Sequence, residues 1–293
     1  MPAQTGFTMT ASVDRYCVMG NPVAHSRSPW IHSRFAELTG QNLHYDRLLA
    51  PLDGFASTLQ NFLENGGKGC NVTVPFKLEA AQAAHSSSPR VALAGAANTL
   101  LVQNDGTLYA DNTDGLGLVA DITRNAGVSL HGKDILLVGA GGAAAGVLGP
   151  LLEQSPRSIV VCNRTTSKAE ALVQQHADLA ALHKVELSVQ SQQALQGNFD
   201  IVINGTAASL QGGSIPVPAS VLRAGSLAYD MMYGPAAAAF LDWAQQHSAT
   251  GRDGLGMLVE QAAASFALWT GIHPPSAQVL QELQTVLAQE YAS

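Results

Sequence analysis

Cysteine is scarce in this chain. Cys17, Cys70 and Cys162 are the only three in 293 residues, they stand far apart, and none forms a Cys-x-x-Cys pair. That excludes a disulfide framework, gives no zinc-ligand pattern, and suits a reducing compartment, here expected to be the cytoplasm. Charge is thin as well: 15 Lys and Arg stand against 22 Asp and Glu, for a net −7, and no two basic residues are adjacent. A nucleic-acid or anionic-membrane partner calls for a basic face, so neither is expected, whereas a small-molecule partner is. Long apolar runs are missing too. Glycine, proline or charge interrupts each one well short of the roughly 20 residues a bilayer span needs. Met1 to Ala11 has neither a basic start nor an apolar core, so it is expected to be a frayed extension and not a secretory signal. Repeats are absent, and the only biased tract is Ser86-Ser87-Ser88.

Hydrophobic residues, at 46%, are ample for a core, and 293 residues exceed the usual single-domain size, so two domains are expected. The first half alternates β and α. Asp14 to Met19 reads as a strand ending at Gly20-Asn21-Pro22, and Pro29 behind Ser28, with Ile31, Phe35 and Leu38 on one face and Gly40 as the stop, marks a helix. Ser28 is expected as its N-cap, and Ser26 with Ser28 can equally hold an anion at a helix N-terminus. Tyr45 to Leu49 reads as a strand, Phe55 to Leu63 as a helix, and Asn65 to Gly69 as a loop. This alternation predicts a mostly parallel sheet. The stretch Gly69-Cys70-Asn71-Val72-Thr73-Val74-Pro75-Phe76-Lys77 reads as a buried strand stopped by a proline that cannot donate to the ladder, with Lys77 on the first turn of the next helix. By itself Lys77 reads as an ordinary surface charge. Thr99 to Val102 and Thr107 to Ala110 flank Asn104-Asp105-Gly106, a hairpin, after which Thr113 or Asp114 can cap a helix over Leu116 to Ile122.

From Lys133 onward the pattern is that of a nucleotide unit. Asp134 to Val138 is a buried strand, Gly139-Ala140-Gly141-Gly142-Ala143-Ala144 follows at once, and Ala145 to Leu152 continues as a helix. This is the Gly-x-Gly-x-x-Gly/Ala fingerprint in its strand–turn–helix setting. The next strand, Ser158 to Cys162, ends at Asn163-Arg164-Thr165 with no carboxylate for a ribose 2′-hydroxyl. Arg164, with Thr165 and Lys168, instead offers donors for a 2′-phosphate, so NADP is expected over NAD. Strands at Leu187–Val189, Asp200–Ile203 and Leu227–Asp230 and a helix over Ala236–His247 complete a doubly wound unit. Gly254 to Gln261 opens an apolar helix that stops at Gly271. A last amphipathic helix follows Pro274-Pro275, and both are expected to pack back on the N-terminal part.

Eight separated segments agree with one family. They are Gly20 to Pro29, Asn71 to Lys77, Ala97 to Leu100, Asn112 to Gly115, Gly139 to Ala143, Asn163 to Thr165, Asp230 to Tyr233 and Gly254 to Gln261, and in order and spacing they resemble shikimate dehydrogenase over nearly the whole chain. The resemblance implies an α/β fold in which a three-layer substrate-binding domain, residues 1–113 and 255–293, joins a Rossmann-like doubly wound NADP domain, residues 114–254. It implies NADP-dependent interconversion of 3-dehydroshikimate and shikimate, in a monomer or homodimer. It also assigns roles. Lys77 and Asp114 are similar to the family's catalytic pair. Ser26, Ser28 and Tyr233 resemble the ligands of the substrate carboxylate, and Thr73, Asn98, Asp114 and Gln261 those of the ring hydroxyls. Gly139, Ala140, Gly141, Gly142 and Ala143 match the pyrophosphate loop, Asn163, Arg164, Thr165 and Lys168 the adenosine phosphate end, and Met231 and Gly254 the nicotinamide end. One departure is Pro89, where many members carry an acid nine residues before the asparagine of Asn-Thr-Leu; the fold is expected to tolerate it. Two rivals remain at this level. One is a quinate or dual quinate/shikimate enzyme. The other is a noncatalytic dinucleotide sensor, which would be expected to lose Lys77 or Asp114, and both are present.

Overall fold

A computed structural model describes residues 13–206 and 217–292, so the expectation for Met1 to Ala11 lies outside the described residues. The first part runs β1 (Asp14–Gly20), α1 (Ser28–Thr39), β2 (Leu43–Leu49), α2 (Phe55–Glu64), β3 (Gly67–Val72), α3 (Lys77–Ala83), β4 (Ser86–Ser87), α4 (Pro89–Ala94), β5 (Thr99–Val102), β6 (Leu108–Asp111) and α5 (Asp114–Ala120). The second runs β7 (Asp134–Val138), α6 (Gly142–Leu152), β8 (Ser158–Asn163), α7 (Thr166–Gln175), α8 (Ala177–Leu182), β9 (Glu186–Ser191), β10 (Phe199–Asn204), β11 (Leu222–Asp230), α9 (Ala238–Gln246) and β12 (Thr250–Arg252). Then α10 (Leu255–Thr270) and α11 (Ser276–Ala292) pack with α1 through Ile31, Phe35, Val259, Phe266, Val279 and Leu283. Among the described residues no helix is long and apolar enough to cross a membrane.

Two six-stranded sheets organise the molecule, in the orders β2-β1-β3-β5-β6-β4 and β12-β11-β10-β7-β8-β9. The second sheet is parallel at every pairing. The middle of its central strands is apolar, as burial on both faces requires, and Ile135, Leu136, Leu137, Ile201, Val202 and Ile203 are fully buried. In the first sheet β1 pairs in parallel with β2 and β3, and β4 with β6, as the alternation predicts, while β3 with β5 and β5 with β6 run antiparallel. The reason is local: the Asn104-Asp105-Gly106 hairpin inserts an antiparallel pair beside β3, where a helical crossover would have kept the direction.

Several boundaries also shift. β3 already begins at Gly67, inside the stretch expected to be loop, and it ends at Val72, leaving Thr73 beyond the strand. The helix expected over Leu116 to Ile122 starts at Asp114 and passes at Asp121 into a π-helical turn running to Asn125. Pro89 sits exposed at the first turn of α4 behind the N-cap Ser88, a position where its missing N–H costs no helical bond.

Glycines set the approach of α5, α6 and α10. A Cβ at Gly115 would lie 2.6 Å from the Gly146 carbonyl oxygen, and one at Gly117 2.6 Å from that of Met257, so both helices come closer to α5 than any side chain would permit. These contacts bring the start of α5, after the first sheet, against the helix that follows the first strand of the second.

Candidate active site

The loops after β1, β2 and β3 emerge at the carboxyl ends of neighbouring parallel strands and are tied together. Asn21 donates its N–H to the Val74 carbonyl at 2.9 Å and its side-chain amide to the Ala50 carbonyl at 2.9 Å, while the Thr73 N–H donates to the Met19 carbonyl at 2.9 Å. A Cβ on Gly20 would meet the Thr73 methyl at 2.4 Å, so the close seat of Thr73 requires glycine there. The chain then turns into α3 with Lys77 as its first residue.

Lys77 Nζ forms an ion pair with Asp114 Oδ2, and the two side chains are 21% and 11% exposed, so both groups are largely withdrawn from water yet reachable. The other carboxylate oxygen, Oδ1, accepts from Asn98 Nδ2 at 2.8 Å. Asn98 is itself locked. Its Oδ1 accepts the Thr113 N–H at 2.8 Å, and its Nδ2 also contacts Gln261 Oε1 at 3.3 Å. Lys77, Asp114, Asn98 and Gln261 therefore form one group drawn from α3, α5, the entry to β5 and α10. Thr113 does not cap α5 with its side chain, since that hydroxyl faces Asn98.

Ser26 and Ser28 lie together at the start of α1, but not as expected. The N-cap is Arg27, and Ser28 is already the first helical residue, with Pro29 second. Ser28 donates its backbone N–H to Ser26 Oγ at 3.3 Å, and Ser28, 6% exposed, is not the cap. Behind it His32 is fully buried, stacked on Tyr45 at 4.2 Å, with neither ring nitrogen hydrogen-bonded. Burial lowers its pKa to about 3, so it is neutral at ordinary pH. Tyr233 packs against the cluster formed by α1, α10 and α11 and makes no hydrogen bond to either serine; its hydroxyl pKa is raised chiefly by burial. Thr73 is half-buried beside this group without a side-chain hydrogen bond to it.

Across from them the glycine loop closes β7. Gly139 has φ +116°, a conformation that favours glycine, and a Cβ there would crowd the Gly205 carbonyl oxygen at 3.1 Å. At Gly141 and Gly142 a Cβ would meet nothing within 4 Å among the described residues. No side chain caps α6. Its first N–H groups are thus available to an anion, and the helix dipole favours one there. Asn163 Nδ2 bridges to the Thr165 carbonyl at 2.9 Å, holding the turn after β8, whereas Arg164 and Lys168 are exposed with no ion-pair partner among the described residues. Met231 lies at the end of β11, and a Cβ on Gly254 would sit 2.3 Å from the Met231 carbonyl oxygen, so these two touch.

Asn71, Thr99, Ser265 and Tyr45 carry no role in the sequence reading, yet they form a buried polar layer directly behind Asn98. The one signal for them is spacing: Ser265 follows Gln261 by four residues on one helix and must share its face.

A parallel sheet with a glycine loop at its carboxyl edge, joined through the packing of α5 on α6 to a lysine–carboxylate pair at the edge of the other sheet, defines a two-domain dinucleotide-binding oxidoreductase. The comparisons narrow the class. Residues 18–100 match the family described as shikimate dehydrogenase substrate binding domain, residues 121–211 the shikimate / quinate 5-dehydrogenase family, and residues 254–284 the shikimate 5'-dehydrogenase C-terminal domain. The shikimate dehydrogenase (NADP(+)) of Acidovorax sp. is 70% identical over 280 residues, 96% of this chain and 99% of its own. Among solved structures, an Ael1 enzyme from Pseudomonas putida superposes with a TM-score of 0.85 at 42% identity, over 92% of this chain and 98% of its own. Shikimate 5-dehydrogenase from Thermus thermophilus, solved with NADP(H) and shikimate, gives 0.78 at 30% identity, over 92% and 98%. The chain belongs to the shikimate dehydrogenase family.

Proposed function

We propose that this chain is an NADP-dependent shikimate dehydrogenase, with Lys77 and Asp114 acting at the oxygen that changes oxidation state. The observation that carries this reading is the Lys77–Asp114 pair, held by Asn98 at the start of α5, the helix that packs on α6 behind the glycine loop. The loop fits the cofactor: Gly139 to Ala143 would seat the pyrophosphate on the uncapped start of α6, Asn163, Arg164, Thr165 and Lys168 the 2′-phosphate end, and Met231 and Gly254 the nicotinamide end. When bound, NADPH supplies the hydride for the carbonyl carbon of 3-dehydroshikimate.

The chain's own residues manage the oxygen. As the carbon is reduced, negative charge grows on that oxygen, and an ammonium beside it both stabilises the charge and delivers the proton. Lys77 is in position for both. Asp114 holds the ammonium by one carboxylate oxygen while Asn98 holds the other, so the donor's aim is set before substrate arrives. In the oxidative direction the same nitrogen takes the hydroxyl proton. Asn98, Gln261 and Thr73 are assigned to the ring hydroxyls, and Ser26, Ser28 and Tyr233 to the carboxylate. Because Ser28 is not the N-cap of α1, its hydroxyl is not committed to the helix end. Ser28→Ala is expected to weaken shikimate binding by about 10-fold, with the dissociation constant for NADPH unchanged. Unaltered shikimate affinity would remove Ser28 from the site.

Arg164→Ala is expected to raise the Michaelis constant for NADPH by about 10- to 100-fold and that for NADH by less than about 2-fold, since only the former loses a charge-assisted contact. An equal change for both would refute the 2′-phosphate assignment. The test of the whole reading is steady-state turnover of shikimate and quinate, each with NADP and NAD. Shikimate with NADP should be the fastest pair, and preference for quinate would point to the dual or quinate enzyme instead.

A further inference from the structure

We infer that Ser265 is a positioning residue for the Lys77–Asp114 pair, because it is the link from α10 in a one-way chain of hydrogen bonds that ends on the Asp114 carboxylate. The inference rests on the reading of that pair as catalytic. Two backbone groups fix the side-chain amides. The Thr113 N–H can only donate and lies 2.8 Å from Asn98 Oδ1, so Asn98 must present its NH2 to Asp114 Oδ1 at 2.8 Å. The Asn98 carbonyl can only accept and lies 3.2 Å from Asn71 Nδ2, so Asn71 Oδ1 is left to accept from the Tyr45 hydroxyl at 2.7 Å.

The hydroxyl protons follow by elimination. Thr99 Oγ1 stands 2.9 Å from Asn98 Oδ1, which has no proton, so Thr99 donates there. Its 2.8 Å contact with Ser265 Oγ must then be one it accepts, which commits the single Ser265 proton to Thr99. Two longer routes for that proton, 3.1 Å to the Gln261 carbonyl within the same helix and 3.2 Å to Thr113 Oγ1, are given up. Asn71 Nδ2, 2.9 Å away, donates to the free lone pair of Ser265. The chain therefore reads Tyr45 to Asn71 to Ser265 to Thr99 to Asn98 to Asp114, each member donating to the next. All six residues are buried, from 0% exposure at Ser265 and Thr99 to 8% at Asp114.

Bonds aligned in one direction polarise one another, and the effect is greatest in a dry interior with a charge at the acceptor end. The chain is not a proton path, since the amides of Asn71 and Asn98 keep their protons. What it conveys is orientation, and a fixed electrostatic bias toward the ionised carboxylate that receives Lys77. Ser265 is its only member on α10, so it also registers that helix, and with it Gln261, against β3 and β5.

The test compares the full-length chain with Ser265→Ala, Thr99→Val and the double variant. Ser265→Ala is expected to lower kcat by about 3- to 10-fold with the KM for NADPH unchanged, and the double variant to fall no further than the lower single, as links of one chain must. A kcat for Ser265→Ala within about 1.5-fold of the parent, or a double variant in which the two losses multiply, would overturn the inference. If the parent turns over neither 3-dehydroshikimate nor quinate, the functional reading fails by itself, and the side-chain amide protons of Asn98 then carry the test by NMR. Their upfield movement in Ser265→Ala supports the chain, and unchanged resonances overturn it.

Discussion

Lys77→Met is expected to lower turnover by about 10²-fold or more while the Michaelis constants stay within a few-fold of the parent values. Methionine keeps most of the apolar stem and its volume, so α3 should start where it does now, and Asp114 keeps its bond from Asn98. What disappears is a positive charge and a proton at one point. Both matter most in the transition state, where charge sits on the substrate oxygen, so the loss should fall on kcat. Steady-state kinetics with 3-dehydroshikimate and NADPH, read beside thermal unfolding of the same preparations, decide the matter. Near-normal turnover in a folded variant would remove Lys77 from the chemistry and leave the pair a structural contact.

The largest effect on stability is expected at Arg252. Asp121 is fully buried in the π-helical turn after α5, and Arg252 grips it twice, from Nε to Oδ2 at 2.8 Å and from Nη2 to Oδ1 at 2.5 Å. Tyr229 and Asn125 add neutral donors at 2.8 and 2.9 Å. Gly256 of α10 packs directly on the carboxylate, for a Cβ there would fall 1.8 Å from Oδ1, so no room exists for the side chain to swing out. Arg252→Ala would leave a buried carboxylate with two neutral partners, at a cost of about 3–5 kcal/mol. Against a total stability of about 5–15 kcal/mol this is about a fifth or more of the margin. Arg157, paired with Asp134 but 65% exposed, is the control, and its alanine variant should barely move the urea midpoint, because water screens the charge that remains. Equal shifts for the two variants would show that burial of Asp121 does not set the cost.

The parts of the site that follow one another in the chain are legible from the residues alone. Gly139 to Ala144 behind a buried strand and Lys77 opening a helix both depend on backbone preferences within a few residues, and the folded chain keeps them, whereas β3 ends at Val72, before Pro75 is reached. Ser28 departs from its expected role for an equally local reason. A serine before proline has the form of an N-cap, but α1 begins one residue earlier, because Ser26 reaches the Ser28 N–H and the cap moves to Arg27. The antiparallel half of the first sheet depends on which strand the hairpin pairs with, and nothing within the hairpin specifies that.

The sequence by itself determined which segments are helix and strand, which turns need glycine or proline, and which residue types could bind phosphate or move a proton, since these rest on sterics and chemistry local to the chain. Only the tertiary structure decided that Lys77 meets Asp114, 37 residues away, and that Asn98, Gln261 and Ser265 stand behind them. Such meetings are set by the packing of α3, α5 and α10 around two sheets, and burial then obliges every polar group so enclosed to find a partner.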